Sequence, residues 1–504
     1  MRAVPPIDWL AVAPVAVLGF VVVAVVMLRS LVRRAGWVTD AATLLALAGI
    51  AAATAACVLQ WREVRDRGAY QAVAGAVAVD GFSVFVSIVV LGAAAATLLL
   101  SRRYVSVHRL PYAVEYLVLV CCSVIGMLVM AGANDLLVVF VALEVLSIPL
   151  YLLTAFDRRR RGSLEGGMKY FVLGSFASAV FLYGVALAYG ATGSTALPAV
   201  AGFLARTTLV DAGTLLAGVM LMLVGLGFKV AAVPFHTWAP DAYQGAPTPV
   251  TAFMASATKA AALAALARVL LTAFDAHQAD WRPAIWGLAV ATLVFANLAA
   301  LAQRDVKRML AYSSVAHGGF ILIGIEAASS RGRAAALFYV AVYAVMAVGT
   351  FGVLAVLARR GERFDLTAFA GLGRRRPVLA GVLTLLLLAQ AGVPSTSGFV
   401  AKLGVFAAAA QARSYALLVI GVLAAVVGVV YYLRVILTMY TGSVTDDTEP
   451  ADGAAGEGGA PSEPRPRVDA ATGFVLAATV AATLWFGLAP GGLLDLAERA
   501  KLLF

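Results

Sequence analysis

The sequence predicts an all-α polytopic membrane protein of about fourteen transmembrane helices, with two inverted five-helix repeats and breaks in the seventh and twelfth helices. Three observations point that way. The 504 residues are 62% hydrophobic and 13% charged, against roughly half and about a quarter in globular proteins, which is more apolar surface than a water-soluble core can hide. That surface comes in runs of about 20 apolar residues, enough to cross a hydrocarbon core of roughly 30 Å as a helix. The excess of basic residues, a formal net charge of +11, falls in short clusters between these runs. No basic face is interleaved with aromatics, so the charge reads as membrane topology and nucleic acid is set aside as a partner.

Taken in order, the runs place spans near 9–28, 38–59, 81–101, 113–132, 135–156, 166–190, 213–235, 249–274, 283–302, 306–326, 333–358, 377–411, 414–440 and 470–490. The first run lacks a small-residue cleavage site, so it is read as a retained helix and not as a signal peptide. Loops after the first, third, fifth, ninth and eleventh spans carry Arg29, Arg33, Arg34, Arg102, Arg103, Arg109, Arg158 to Arg161, Arg304, Lys307, Arg308, Arg359, Arg360, Arg363 and Arg374 to Arg376. The intervening loops are poorer in Lys and Arg, so both termini are expected outside. Ser443 to Arg467 is dominated by Gly, Pro, Asp and Glu and reads as a mobile cytoplasmic loop.

Two runs place Gly and Pro beside a lysine in an otherwise apolar helix: GLGFKVAAVPFHTW at 225–238 and AGVPSTSGFVAKLGVF at 391–406. Such interruptions mark transport sites, and the five-helix separation gives the two units opposite orientations. The expected division is N-terminal helices over 1–112, a first repeat over 113–274, a second over 275–440, the loop over 441–469 and a last helix over 470–504.

Cys57, Cys121 and Cys122 lie in apolar runs outside any CxxC or CxxH pattern, and there are four histidines. This argues against a metal centre or haem in the chain. There is no Walker A motif and no G-x-G-x-x-G after a strand, so no redox chemistry is visible.

An ionisable residue at mid-membrane is costly, and is a functional candidate by default. Glu144 lies near the middle of the fifth span, where a carboxylate is expensive to keep charged without a partner such as a lysine. Lys229 sits between Gly225, Gly227 and Pro234, where an interrupted helix can line a wet cavity; the alternative is snorkelling to the interface. Lys259 is about ten residues, or about 15 Å, into the eighth span and too deep to snorkel. Lys402 lies beyond the Pro394–Gly398 break. Glu115 and Lys169 start helices, so interface anchoring competes with a role in proton uptake. His317 is mid-span, and a histidine ordinarily titrates near neutral pH, which suits relay, but a hydrogen bond to a neighbouring helix is an equal reading. His236, Trp238 and Asp241 fall in PFHTWAPDAYQGAPTPV, a Pro- and Gly-rich stretch read as a re-entrant or interfacial loop.

LEVLSIPLYLL at 143–153, GGMKYFVLGSFASAVFLYGVALAYGATGS at 166–194, GFKVAAVPFHTWAPDAYQGAPTPVTAF at 227–253 and KRMLAYSSVAHGGF at 307–320 resemble the antiporter-like proton-pumping subunits of respiratory complex I, the bacterial NADH–quinone oxidoreductase. YQGAPTPVTAF followed by ATKAAALAALAR resembles the N type within that family. By position, the resemblance makes Glu144 the carboxylate of the fifth helix, Lys229 its partner, Lys259 the central lysine and Lys402 the terminal one. It implies the bacterial plasma membrane, a multisubunit complex of membrane and peripheral partners, and no cofactor on this chain. FMN and iron–sulfur clusters would belong to partner subunits, with NADH and quinone as substrates of the whole. PSTSGF at 394–399 departs from the family, which often has a second proline and fewer hydroxyls there; the acidic loop at 443–467 is a second departure. A multisubunit sodium–proton antiporter or membrane-bound hydrogenase subunit would share these helices. A scaffold whose charges merely fix packing is the alternative of a different class.

Overall fold

The computed structural model describes residues 8–32, 37–110, 112–207, 212–358, 364–441 and 468–503. The chain begins with α1 (Trp9–Leu31) and α2 (Val38–Arg67), then an antiparallel pair, β1 (Tyr70–Ala72) and β2 (Val77–Val79), with Gln71 opposite Ala78. Next come α3 (Gly81–Val107), α4 (Ala113–Gly132), α5 (Leu136–Thr154), α6 (Arg161–Thr192), the short α7 (Leu197–Leu204), α8 (Ala212–Val230) and the short α9 (Trp238–Gly245). α10 (Thr248–Phe253) runs through a π turn at Met254–Thr258 into α11 (Lys259–Arg268), which ends in a second π turn at Val269–Ala273. α12 (Gln278–Ala302), α13 (Val306–Glu326), α14 (Ser330–Leu357), the short α15 (Leu372–Arg375), α16 (Pro377–Ala391), α17 (Ser397–Gln411), α18 (Tyr415–Thr441), α19 (Ala470–Leu488) and α20 (Gly491–Arg499) complete it.

Among the described residues thirteen helices are long and apolar enough to cross a membrane. The fold is the expected all-α bundle, with a small β-hairpin in a loop. The twelfth predicted span is not continuous: α16 and α17 are 15 residues each, separated where Gly392, at φ +90°, adopts a left-handed conformation that suits glycine as a helix stop. The seventh span ends at Val230, five residues before the predicted boundary, and 231–237 turn into α9. The 443–467 loop lies outside the described residues.

Several spans begin where an acidic residue precedes an apolar run. Asp80 caps α3 by accepting from Ser83 N at 2.7 Å, Asp135 caps α5 through Leu137 N at 2.8 Å, and Asp305 caps α13 through Arg308 N at 2.7 Å. Each satisfies a backbone donor the helix cannot satisfy itself. Helices then pack through small residues, because lipid offers no hydrophobic advantage over another apolar helix. α6 and α8 meet this way: a Cβ on Gly225 would lie 2.4 Å from Phe181 Cβ, and one on Gly184 2.7 Å from the Gly218 carbonyl.

The helix spanning Thr248–Ala273 is the hub, its most apolar stretch entirely buried, whereas α1 and α19 turn most of their surface outward. One end of the bundle carries the β-hairpin, which Asn134 ties to the α4–α5 turn through Ala76 and Gly75 carbonyls, both at 2.9 Å. The opposite end carries α9. These are called the hairpin face and the α9 face below.

Candidate functional site

Lys229, Lys259 and Lys402 are 3%, 3% and 6% exposed, and none is held by a carboxylate among the described residues. Lys229, one residue before the end of α8, donates to Ser147 Oγ on α5 and to the Tyr170 hydroxyl on α6, each at 2.8 Å. Tyr170 is itself fixed by Trp238, stacked on it at 4.1 Å between centroids, whose Nε1 donates to the Phe228 carbonyl at 2.9 Å. Trp238 therefore positions the ring that positions the lysine. Glu144 stands one turn before Ser147 on α5, half-buried, with Oε1 buried and without a hydrogen-bond partner among the described residues. It is near enough to interact electrostatically with Lys229, but the lysine donates to Ser147 and not to the carboxylate.

Lys259 opens α11 directly after the π turn and donates to the Ser314 carbonyl of α13. π turns recur at functional sites because they disrupt the regular hydrogen-bond ladder. His317, one turn further along α13, lies 2.9 Å from the Tyr339 hydroxyl through Nδ1 and 3.2 Å from the Tyr432 hydroxyl through Nε2. Lys259 and Lys402 are both within electrostatic reach of this imidazole. Lys402, on α17, donates to the Gln390 and Ala391 carbonyls at 3.0 and 2.6 Å, the last two carbonyls of α16. The broken helix thus turns the negative end of its dipole on the lysine. At the break, the Thr396 hydroxyl donates to the Val393 carbonyl at 2.6 Å.

Lys229, Lys259, His317 and Lys402 are buried on neighbouring helices, with Val230 and Lys259 both bordering Gly318, next to His317; they are called the row below, with Glu144 at its α5 end. Glu115 and Lys169 lie apart from it on the α9 face. Glu115, half-exposed, is 3.9 Å from Arg29 Nε. Lys169 reaches Asp241 Oδ2 at 2.8 Å and Glu165 at 2.6 Å, and Arg308 Nη1 donates to Asp241 Oδ1 at 2.6 Å. Burial alone would raise the Asp241 carboxyl, but hydrogen bonds from Lys169 and Arg308 outweigh it and hold the group below the usual carboxylate range. His236 is buried beside Phe295, and its Nδ1 has no hydrogen-bond partner among the described residues. No three His, Cys, Asp or Glu side chains converge as a metal site among the described residues.

The family described as NADH:quinone oxidoreductase/Mrp antiporter, TM, matches residues 133–428, the stretch that holds the whole row. NADH-quinone oxidoreductase subunit N of Rhodococcus opacus is 41% identical, the match covering 99% of this chain and 97% of the relative. The chain belongs to this subunit N family. Among solved structures, a chain of respiratory complex I from Thermus thermophilus is 33% identical with a TM-score of 0.79, covering 97% of this chain and all of the other. A chain of the Mrp complex from Dietzia sp. is 23% identical with a TM-score of 0.84, covering 98% of this chain and 97% of that one, a likeness of fold alone.

Several buried charged groups are not marked in the sequence. Asp80 and Arg268 form a bidentate pair at 2.8 Å on both arms, 0% and 2% exposed, although Arg268 lies in the same run as Lys259. Glu326, at the end of α13, receives Arg282 Nη2 at 3.1 Å and the Ser414 hydroxyl at 2.9 and 3.0 Å. Lys307 stands among topology arginines in sequence but is buried, donating to the Ala246 carbonyl at 2.7 Å. Asp80 stands just before an apolar run, which in sequence marks a helix cap at most and gives no sign of a partner 188 positions away.

Proposed function

We propose that this chain is the proton-translocating membrane subunit of an NADH–quinone oxidoreductase and that protons pass along Glu144, Lys229, Lys259, His317 and Lys402. The observation that carries this reading is the contrast between two kinds of buried charge. Arg268 is locked by Asp80, whereas the row's lysines and His317 are bonded to hydroxyls and carbonyls. A lysine held by neutral oxygens can release its proton without stranding a paired carboxylate, and an Nζ that has lost a proton still has two hydrogens to donate. The Ser147 and Tyr170 hydroxyls can both give and accept protons beside Lys229. A scaffold would favour the locked arrangement throughout.

Glu144 and Lys229 act as a charge-coupled pair, and the helices divide into a first unit over 113–274 and an inverted second unit over 275–440. Glu115 and Lys169, on the α9 face, are each held in ion pairs, so the same contrast favours interface anchoring over proton entry for both. The chain lies in the bacterial cell membrane with both termini outside. FMN, iron–sulfur clusters and the NADH and quinone reactions are assigned to partner subunits. The 41% identity to a subunit N relative supports this reading over the Mrp type, which matches at 23%.

In Glu144→Ala, NADH-driven proton pumping is expected to fall several-fold while the complex assembles, with Glu144→Asp less affected; normal pumping by an assembled Glu144→Ala complex refutes the pair. Cysteines engineered in the 443–467 loop are expected to resist impermeant thiol reagents in intact cells, and labelling from outside reverses the proposed orientation.

A further inference from the structure

A cavity of about 370 Å³ opens at the hairpin face, far along the chain from the buried row, lined by Trp61, Val64, Arg65, Arg499, Lys501 and Leu502 among others. It lies where a membrane surface meets the protein. The 30 residues of α2 extend for about 45 Å, longer than a hydrocarbon core of roughly 30 Å, so the end bearing Trp61 and Arg65 overhangs into the headgroup layer. α20, which supplies Arg499, buries only Ala497 fully and is too short to span.

The two halves of the cavity differ in chemistry. Trp61, Val64 and Leu502 make an apolar wall, and Val58, nearly one turn before Trp61 and 41% exposed, continues it toward the membrane interior. Tryptophan is favoured at this depth because its ring is apolar and its N–H is polar. Arg65, Arg499 and Lys501 make the other half. Arg65 pairs with its neighbour Asp66 at 3.3 Å and Arg499 with Asp495 at 3.1 Å, all four side chains more than 60% exposed, so these contacts are weak and leave most donors of each guanidinium free. Lys501 is exposed and makes no ion pair among the described residues.

We propose that this cavity binds an anionic phospholipid, with the phosphate held by Arg65, Arg499 and Lys501 and one acyl chain laid along Trp61 and Val58. A single site thereby presents guanidinium forks for phosphate oxygens and an apolar track for a hydrocarbon tail. The tail of the chain that carries Lys501 also closes over the start of α3, where Phe82 N donates to the Lys501 carbonyl at 3.2 Å and Leu503 N to Asp80 Oδ2 at 3.0 Å. A lipid seated here would brace that closure.

The test is native mass spectrometry of the detergent-purified complex, following this subunit with phosphatidylglycerol or phosphatidylcholine added, with and without inorganic phosphate in excess. Wild type is expected to retain phosphatidylglycerol over phosphatidylcholine. The triple variant Arg65→Gln/Arg499→Gln/Lys501→Gln is expected to lose retention at least about tenfold, given about 1 kcal/mol per basic residue near a membrane surface. Arg65→Lys/Arg499→Lys, which keeps the charge, should stay within about threefold of wild type, as each retained charge keeps its attraction. Equal retention by wild type and the triple variant overturns the site, and displacement of phosphatidylglycerol by the excess inorganic phosphate overturns the lipid assignment in favour of a free anion.

Discussion

Lys259→Arg should abolish most NADH-driven proton uptake in membrane vesicles, with Lys259→Ala at least as impaired. Arginine keeps its positive charge at any working pH, so it preserves the electrostatics and removes only the ability to release a proton. Losing a proton-transfer group costs on the order of 100-fold or more where the transfer limits the rate. Lys259 is where such a loss should be greatest, because it opens α11 in the most buried helix of the bundle and lies between the α8 end of the row and His317. A Cβ on Gly318 would be 3.7 Å from both Lys259 Nζ and the Val230 carbonyl, so the amine and the end of α8 border the same glycine. Assembly must be verified first, since a guanidinium is bulkier than an ammonium. Full pumping by assembled Lys259→Arg would leave the residue as a fixed counter-charge.

Asp80→Ala should have the opposite signature, a loss of stability with no dedicated loss of proton transfer. Removing the carboxylate leaves Arg268 buried and unpaired, which typically costs about 3–5 kcal/mol, whereas replacing both partners with apolar residues is often near neutral. Leu503 N also loses its acceptor. Thermal denaturation of the purified complex should therefore rank Asp80→Ala well below wild type, with Asp80→Val/Arg268→Met recovering much of the difference. An Asp80→Ala complex as stable as wild type would show that the pair contributes little.

The two predictions also show what one sequence reveals. Apolar runs near the bilayer thickness are legible because each span must satisfy its own backbone and face lipid, a local requirement. The break before Lys402 is legible for the same reason, since Gly392 and Pro394 act on the backbone where they stand. The contacts that decide function are not local. His317 meets Tyr339 and Tyr432, 22 and 115 positions away, and nothing in AYSSVAHGGF selects those tyrosines. Arg268 was hidden by the same logic, and Lys307 was hidden by its company, because beside Arg304 and Arg308 a buried lysine looks like one more topology charge. The π turn before Lys259 has no sequence mark, as Met254–Thr258 fits a regular helix equally well. Glu144 and Lys229 stand out in the sequence, but Ser147, which holds Lys229, does not, because a serine in an apolar helix ordinarily bonds back to its own helix. It does so here too, donating to the Leu143 carbonyl, while accepting from Lys229.

The central claim is that Glu144 and Lys402, at the two ends of the row, serve one path and not two. It is tested most directly by the protons moved per NADH oxidised in vesicles reconstituted with the assembled complex carrying Glu144→Ala, Lys402→Ala or both. Sites in series on one path are coupled, so their effects should not add independently. The account predicts that the double variant pumps about as poorly as the worse single variant, whereas substantial pumping in each single variant that vanishes in the double would mean two parallel paths and contradict it.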